Sequence, residues 1–492
     1  MENGSFEITD KDIMGRIGKL KTPHGVIETP TLFPVINPNI DFIHPRELRR
    51  LGAQGVITNA YIIYRTNNLR EKAVKRGIHD LIGFQGPVMT DSGSYQLSVY
   101  GDVEITNSEI IEFQNIIQAD ILTPLDIPTP PYVTRAEAEE DLKTTSSRLK
   151  EAKKIHSEIG DDRLLVGPIQ GSTYCDLRTN SVKTAESIGF DIYAIGGMVP
   201  LMDNYEYSTV TEIIIEVKKC LSPSRPVHLF GAGHPMMFAV AVALGCDIFD
   251  SAAYALYAKN DRYLTPQGTL KLNEIHYFPC NCEVCSSYTP QELRTSEDKE
   301  RLLAIHNLHT TFTELDTIKQ AIKSNTLFEL VEMRIRSHPS LLEGWRNAIF
   351  KKDFASTIER FDPSYKRTFF YTGIESCYRP AVIRHQKKTL ELKIENREVS
   401  ISFSPHIDAE FYFKPPFGIY HRALKESYPV GHAEIPSIIE AETIETGLKN
   451  LKEFIEKNKH VRITLICDTR WKNLISEFFD QIPTNVSFRE VK

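Results

Sequence analysis

The sequence predicts an α/β fold: a closed (β/α)8 TIM barrel with a zinc-binding subdomain, followed by small α+β modules. Three observations predict it. Eight short apolar runs recur through the first 255 residues, separated by stretches that carry helix signals. The runs are near-continuous in apolar residues, as strands buried on both faces of a parallel sheet are. Almost every run stops at aspartate, glycine or another small polar residue, the composition of a barrel's C-terminal rim. A doubly wound open sheet is the alternative arrangement of the same units.

In order, the runs are LFPVI at 32–36, VIT at 56–58, VMT at 88–90, ILT at 121–123, LLV at 164–166, IYAI at 192–195, VHLF at 227–230 and IF at 248–249. Between them, Thr106-x-x-Glu109 and Thr134-x-x-Glu137 are capping-box patterns ahead of amphipathic stretches. Pro235 opens a helix over 236–244 and Gly245 stops it. The ends of the runs read Asp91-Ser92-Gly93, Asp126-Ile127-Pro128-Thr129, Gln170-Gly171-Ser172, Gly196-Gly197 and Gly231-Ala232-Gly233. A rim that collects so many hydrogen-bonding groups is a site. The barrel is assigned to residues 1–275, a zinc-binding subdomain with closing helices to 276–350, and one or two small α+β modules to 351–492. Leu302, Leu303, Ile305, Leu308 and Phe312 recur at helical spacing in the second of these. Strand-like stretches at 369–371, 399–403 and 461–467 and a helical one at 438–457 mark the last.

A chain of 492 residues exceeds one ordinary core, and its apolar and charged fractions of 41% and 25% are those of a globular protein. No apolar run is long enough to span a bilayer, and the acidic opening MENGSFEITDKD is no signal peptide, so a cytoplasmic location with no membrane association is expected. The net charge of −7 does not advertise nucleic-acid binding, yet phosphate contacts come from local patches. Candidates are Arg46, Arg49 and Arg50; Arg65, Arg70, Lys72, Lys75 and Arg76; and Arg334, Arg336, Arg346, Lys351 and Lys352. Each is equally readable as a solvated helix face.

Two runs end on a carboxylate, Asp91 and Asp250. Either aspartate alone reads as a helix cap. Two of them on one rim are what chemistry at an anomeric carbon needs, one to attack or stabilise and one to move a proton. Cys175, Cys220, Cys246, Cys377 and Cys467 are scattered and read as small buried residues of a reducing compartment. Cys280, Cys282 and Cys285 form C-x-C-x-x-C, too close for useful disulfides and suited to a structural zinc. The fourth ligand is a histidine, with His276, His306 and His309 all placed to serve.

DSGSYQ at 91–96, PIQGS at 168–172, AIGG at 194–197, LFGAG at 229–233, FDSA at 249–252, CxCxxC at 280–285 and IHNLH at 305–309 together resemble the tRNA-guanine transglycosylases, in order, through roughly residues 10–350. PLDIPT at 124–129 and FYTGIES at 370–376 resemble the archaeal branch. That branch exchanges guanine at position 15 in the tRNA D-arm for the deazaguanine preQ0 (7-cyano-7-deazaguanine), on the route to archaeosine. The resemblance implies that Asp250 is the nucleophile and Asp91 the general acid/base. It implies that Asp126, Gln170, Gly196 and Gly197 read the base edge, that Tyr95 and Phe230 sandwich its faces, and that Ser92 stands with them. It implies Cys280, Cys282, Cys285 and His306 as ligands of one zinc ion, the IHNL context favouring His306. Phe230 departs from the methionine of many bacterial members.

The expected partners are tRNA, guanine and preQ0, and a second copy of the chain in a homodimer. Longer archaeal members end in an RNA-binding PUA module that this chain is too short to include, so a separate PUA-containing subunit is expected. Two alternatives are a paralogue that modifies preQ0 already in tRNA and a non-catalytic tRNA-binding subunit. The intact Asp91 and Asp250 weigh against both. A glycosidase is disfavoured because the only tryptophans, Trp345 and Trp471, lie far from the rim motifs.

Overall fold

The computed structural model describes residues 2–40, 42–94, 105–160 and 162–491. Three antiparallel strands come first, β1 (Phe6–Asp12), β2 (Gly15–Thr22) and β3 (Gly25–Thr29). Eight parallel strands follow: β4 (Thr31–Ile36), β5 (Val56–Asn59), β6 (Val88–Asp91), β7 (Ile121–Leu122), β8 (Leu164–Ile169), β9 (Ile192–Ile195), β10 (Val227–Leu229) and β11 (Ile248–Ser251). They close into a barrel, β11 pairing with β4 so that Asp250 lies opposite Phe33. Each apolar run of the sequence supplies one barrel strand, and the open-sheet alternative is excluded by the closure.

The helices form where the local signals place them. Thr106 and Glu109 complete a capping box at the start of Asn107–Ile116. Thr134 caps Arg135–Ile159 by accepting from Glu137 N–H. The helix expected over 236–244 is instead a 3-10 turn, Pro235–Met237, running into Phe238–Ala243. Gly245 then turns the chain at φ 96°.

The barrel interior is packed with Phe33, Ile57, Met89, Ile121, Leu164, Val166, Ile192, Ala194 and Ile248. Leu20 of β2 and Ile27 of β3 join the same cluster, so the N-terminal hairpin plugs one end of the barrel. Full burial of each large apolar side chain contributes about 1.5–3 kcal/mol.

That plugged end is tied by a repeated Asp-Ile pattern, at Asp120-Ile121, Asp191-Ile192 and Asp247-Ile248. Each carboxylate accepts the N–H of a residue near the start of the preceding strand: Val88 at 2.8 Å, Leu165 at 3.0 Å and Val227 at 2.8 Å. Asp120 also accepts from His24 Nδ1 at 2.7 Å and from His79 Nε2 at 2.8 Å. The two imidazoles address different oxygens of one carboxylate, so the trio is a hydrogen-bonded clasp on the β2–β3 turn. Asp247 takes a bidentate pair from Arg16 of β2, both contacts 2.8 Å, with both side chains buried.

The rest of the chain divides between two compact units. The first takes in Met1–Lys323 and Met333–Ala348, the second Ser324–Glu332 and Ile349–Lys492. Beyond the barrel, the first unit carries the hairpin Arg262–Thr265 and Gly268–Lys271 and the long helix Lys299–Ser324. The second is built on a five-stranded sheet in the order Gly418–His421, Phe411–Lys414, Glu398–Ser402, Arg462–Cys467, Val486–Glu490, with the helix Ala441–Lys457 buried against it. No helix among the described residues is long and apolar enough to cross a membrane.

Asp247→Ala leaves the Arg16 guanidinium buried without its counter-charge and the Val227 N–H without its acceptor. The expected loss is about 3–5 kcal/mol of stability, read as a lower denaturation midpoint with an unchanged m-value.

Candidate active site and metal centre

At the end of the barrel opposite the plug, β6 finishes on an aspartate and β11 carries one at its next-to-last position. Asp91 is the last residue of β6 and lies opposite Asn59 of β5. Asn59 Nδ2 donates to Asp91 Oδ2 at 2.9 Å, and Gly93 N–H donates to Oδ1 at 3.2 Å. The other end of the Asn59 amide is fixed too, since its Oδ1 accepts from Ile62 N–H at 2.8 Å and caps the helix Ala60–Arg65. Gly93 sits at φ 95°, and a Cβ there would come within 2.6 Å of Tyr61 Cβ. Glycine lets the chain turn back close enough for its N–H to reach the carboxylate.

Burial is the largest influence on Asp91 and drives its carboxyl up to about 6; the charges of Asp126 and Asp250 add to this, against the Gly93 and Asn59 hydrogen bonds. The three acids therefore share one electrostatic neighbourhood. Asp126 follows β7 and is buried. Burial raises its carboxyl too, while Ser94 and Gln170 act in the opposite direction. Gln170 Nε2 donates to Asp126 Oδ2 at 2.6 Å, and Asp126 N–H donates to Ser94 Oγ at 3.1 Å. Ser92 Oγ donates to Pro124 O at 2.9 Å and lies 3.0 Å from Ser94 Oγ, which ties the end of β6 to the end of β7.

Gly196 and Gly197 end β9 beside this pair. A Cβ on Gly196 would stand 2.1 Å from Gln170 Nε2, so the Gln170 amide occupies the space that glycine leaves. Gly197 is at φ 73°, and a Cβ there would crowd Thr129 O at 3.0 Å. Gln170 Oε1 is buried with no hydrogen-bond partner among the described residues, an acceptor that a ligand N–H would satisfy. Arg178 holds the turns behind them. Its Nε donates to Ser172 O at 2.8 Å, and its Nη1 to Ile169 O at 2.8 Å and Gly196 O at 2.9 Å. Burial lowers this guanidinium to about 10.

Asp250, third residue of β11, is held through one oxygen: His228 Nε2 lies 2.8 Å and Gly231 N 2.9 Å from its Oδ1. Phe230 is half-buried beside it, its ring 4.5 Å from that of His228. Tyr95 lies outside the described residues. The structure thus gathers Asp91, Asp126, Gln170, Gly196, Gly197, Phe230 and Asp250 at one barrel end. In the sequence, Ser94 and His228 stand only as members of their motif and run, and Asn59 and Arg178 carry no reading. Asn59 and Ser94 were findable as polar residues next to a run's end, and His228 as a polar residue inside one.

Cys280, Cys282, Cys285 and His306 form a second cluster, their ligand atoms all within 4.8 Å of one another. His306 Nδ1 is 3.5 Å from Cys282 Sγ and 3.4 Å from Cys285 Sγ. Its Nε2 lies 3.0 Å from Leu264 O, a backbone partner that places the proton there and leaves Nδ1 as the ligand. Three sulfurs and one oriented imidazole fit a four-coordinate metal ion. His309, three residues on, faces away, with Thr313 Oγ1 at 3.4 Å.

The basic clusters differ in character. Arg334 is bound to Glu314 by two contacts of 2.8 Å, and Arg50 pairs with Glu283 at 2.8 Å. Arg65, Lys72, Lys75 and Arg76 are exposed, and among the described residues no carboxylate pairs with them.

A family profile described as Queuine tRNA-ribosyltransferase matches residues 11–340. The tRNA-guanine(15) transglycosylase of Archaeoglobus fulgidus is 53% identical over 470 residues, covering 95% of this chain and 96% of that protein. The Methanosarcina mazei protein of the same name is 50% identical over 477 residues, 96% of each chain. The longer one of Methanocaldococcus jannaschii is 50% identical over 472 residues, 92% of this chain and 72% of its own. With the profile running through the whole barrel and past the Cys/His cluster, and identity near one half across both compact units, this chain belongs to the queuine tRNA-ribosyltransferase family.

Proposed function

We propose that this chain is a tRNA-guanine(15) transglycosylase that exchanges guanine in the tRNA D-arm for preQ0 through a covalent ribosyl-aspartate, a step toward archaeosine. The observation that carries the reading is a carboxyl raised to about 6, Asp91, sharing one rim with a second acid, Asp250, that two donors hold in place.

The target nucleotide must leave its stack, because its glycosidic bond is unreachable inside folded tRNA. Its ring enters the slot against Phe230, with Tyr95 as the opposite wall. Guanine presents N1–H and N2–H₂ donors and an O6 acceptor. Asp126 accepts from the donors. Gln170 uses one amide N–H on Asp126 and has a second for O6. Gly196 N–H is already bonded to Ile169 O at 3.1 Å, so the backbone donor left for O6 is Gly197 N–H. Adenine reverses this pattern and leaves buried groups unpaired, which rejects it strongly.

Asp250 attacks C1′ as the bond to guanine N9 breaks, and Asp91 supplies the proton the departing base takes. The incoming base gives its own N9 proton to Asp91 as it displaces Asp250, so two inversions restore the starting configuration. The Cys280, Cys282, Cys285 and His306 set is proposed to hold zinc. Four protein ligands leave no open position, so the ion's contribution is to the fold around it. The unpaired cations Arg65, Lys72, Lys75 and Arg76 are proposed contacts for tRNA phosphates.

Three outcomes test this reading. Asp250→Asn abolishes incorporation of labelled guanine or preQ0 into tRNA while tRNA binding stays within a few-fold of wild type; a covalent adduct still trapped in that variant refutes the role. Asp91→Asn also loses exchange but gains stability. Folded Asp91 binds its proton more tightly than the unfolded carboxyl, so its charged form destabilises the fold above pH 6. The gain therefore reaches up to about 3 kcal/mol at pH 7–8 and vanishes as pH falls from about 6 to about 4, read by denaturation across pH. Cys282→Ala lowers zinc below one ion per chain by metal analysis and lowers the melting temperature; full metal content and unchanged melting would remove the assignment.

A further inference from the structure

We infer that His228 is a positioning residue that decides which oxygen of Asp250 is presented to the substrate. The inference rests on the proposed role of Asp250 as nucleophile and adds the atom that reacts. His228 is the middle residue of β10 and fully buried, at a place where the barrel otherwise takes apolar side chains. The ring centroids of Phe33 and Phe230 lie 6.3 Å and 4.5 Å from that of the imidazole, so it packs against two aromatic side chains. Its Nε2 is 2.8 Å from Asp250 Oδ1, and its Nδ1 is buried with no hydrogen-bond partner among the described residues.

Those two facts select a tautomer. A proton on Nδ1 would be a buried donor without an acceptor, whereas a proton on Nε2 meets a carboxylate oxygen. The ring therefore donates from Nε2 to Oδ1. Gly231 N–H donates to the same Oδ1 at 2.9 Å. Both donors fall on one oxygen, and among the described residues no hydrogen bond is recorded to Oδ2. An oxygen that accepts two N–H bonds has its charge partly neutralised and its lone pairs occupied. Oδ2 keeps its charge and its freedom of approach.

The covalent step then has a defined course. The C1′–Oδ2 bond forms as the C1′–N9 bond breaks, the electron pair of that bond goes to N9 of guanine, and Asp91 supplies the proton. Oδ1 becomes the ester carbonyl and still accepts from His228 and Gly231. In the second displacement N9 of the incoming base forms the bond to C1′, its proton returns to Asp91, and the C1′–Oδ2 pair goes back to the carboxylate. His228 neither gains nor loses a proton. It keeps the carboxylate from rotating, so that the free oxygen faces C1′ in both half-reactions.

The test compares wild type, His228→Phe and His228→Gln in full-length chain with folded tRNA and labelled guanine. Phenylalanine keeps the ring and removes the donor; glutamine places an amide N–H near the Nε2 position. His228→Phe should lower kcat by roughly 10- to 100-fold, the effect of losing one hydrogen bond to a charged group, with KM for tRNA and for the base within about twofold. His228→Gln should recover most of that loss. A His228→Phe enzyme with wild-type kcat, or a His228→Gln enzyme as impaired as His228→Phe, overturns the inference. If His228→Phe melts well below wild type, the glutamine arm decides alone. An inactive wild type refutes the exchange reaction itself and this inference with it. Independently of activity, ¹⁵N spectra of histidine-labelled chain, with His228→Gln identifying the signal, should show the His228 proton on Nε2. A proton on Nδ1 overturns the arrangement whatever the kinetics.

Discussion

Negative charge crowded into one poorly hydrated rim is the constraint that the rest of the site answers to. Asp91, Asp126 and Asp250 lie near enough that the second and third raise the carboxyl of the first. Three charged carboxylates cannot be held there without help, and each is handled differently. Asp91 takes two modest hydrogen bonds, and its carboxyl is held above the usual carboxylate range. Asp126 is bound to the Gln170 amide. Asp250 receives two donors on one oxygen. The proposed proton carrier, base-edge acceptor and nucleophile would follow from one electrostatic problem with three local solutions.

The barrel divides its tasks between its ends. At the plugged end, aspartates accept strand N–H groups; Asp247 is matched by Arg16, Asp120 by the His24 and His79 clasp, and Asp191 faces Arg225 at 3.6 Å. Each of those carboxylates is satisfied, and the result is rigidity. At the open end, Gln170 Oε1 and His228 Nδ1 have no hydrogen-bond partner among the described residues, and burial holds the Asp91 carboxyl above its ordinary range. Unmet groups of this kind cost stability, a cost that concentrates at sites built for binding and chemistry. The Asp-Ile ties explain how the fold tolerates that cost.

Much of this was legible before any coordinates. A strand buried on both faces must be an apolar run, so the eight barrel strands could be read one by one, and the residues that end them had to lie on the rim. The C-x-C-x-x-C spacing declared a metal cluster in the same direct way. The choice of His306 over His309 was not a matter of spacing: the two are less than one turn apart on the helix Lys299–Ser324, but it is His306 whose ring reaches the three sulfurs, oriented by the Leu264 carbonyl. Arg178 gave no signal and Asn59 only that of its place at a run's end, because their value lies in partners. Asn59 reads as a helix cap until Asp91 is seen beside it, and Arg178 as a surface cation until three carbonyls are found around it.

The sequence by itself determined the units, their order and which side chains end each strand, because those properties depend on residues within a few positions of one another. Closure of β11 onto β4 decided what those side chains mean. It brings Asp250 into the field of Asp91, 159 positions away along the chain, and sets a histidine from the neighbouring strand against one of its two oxygens. Electrostatic coupling and hydrogen-bond direction act over a few ångströms of space, and no local pattern of residues encodes which distant segments will share those few ångströms.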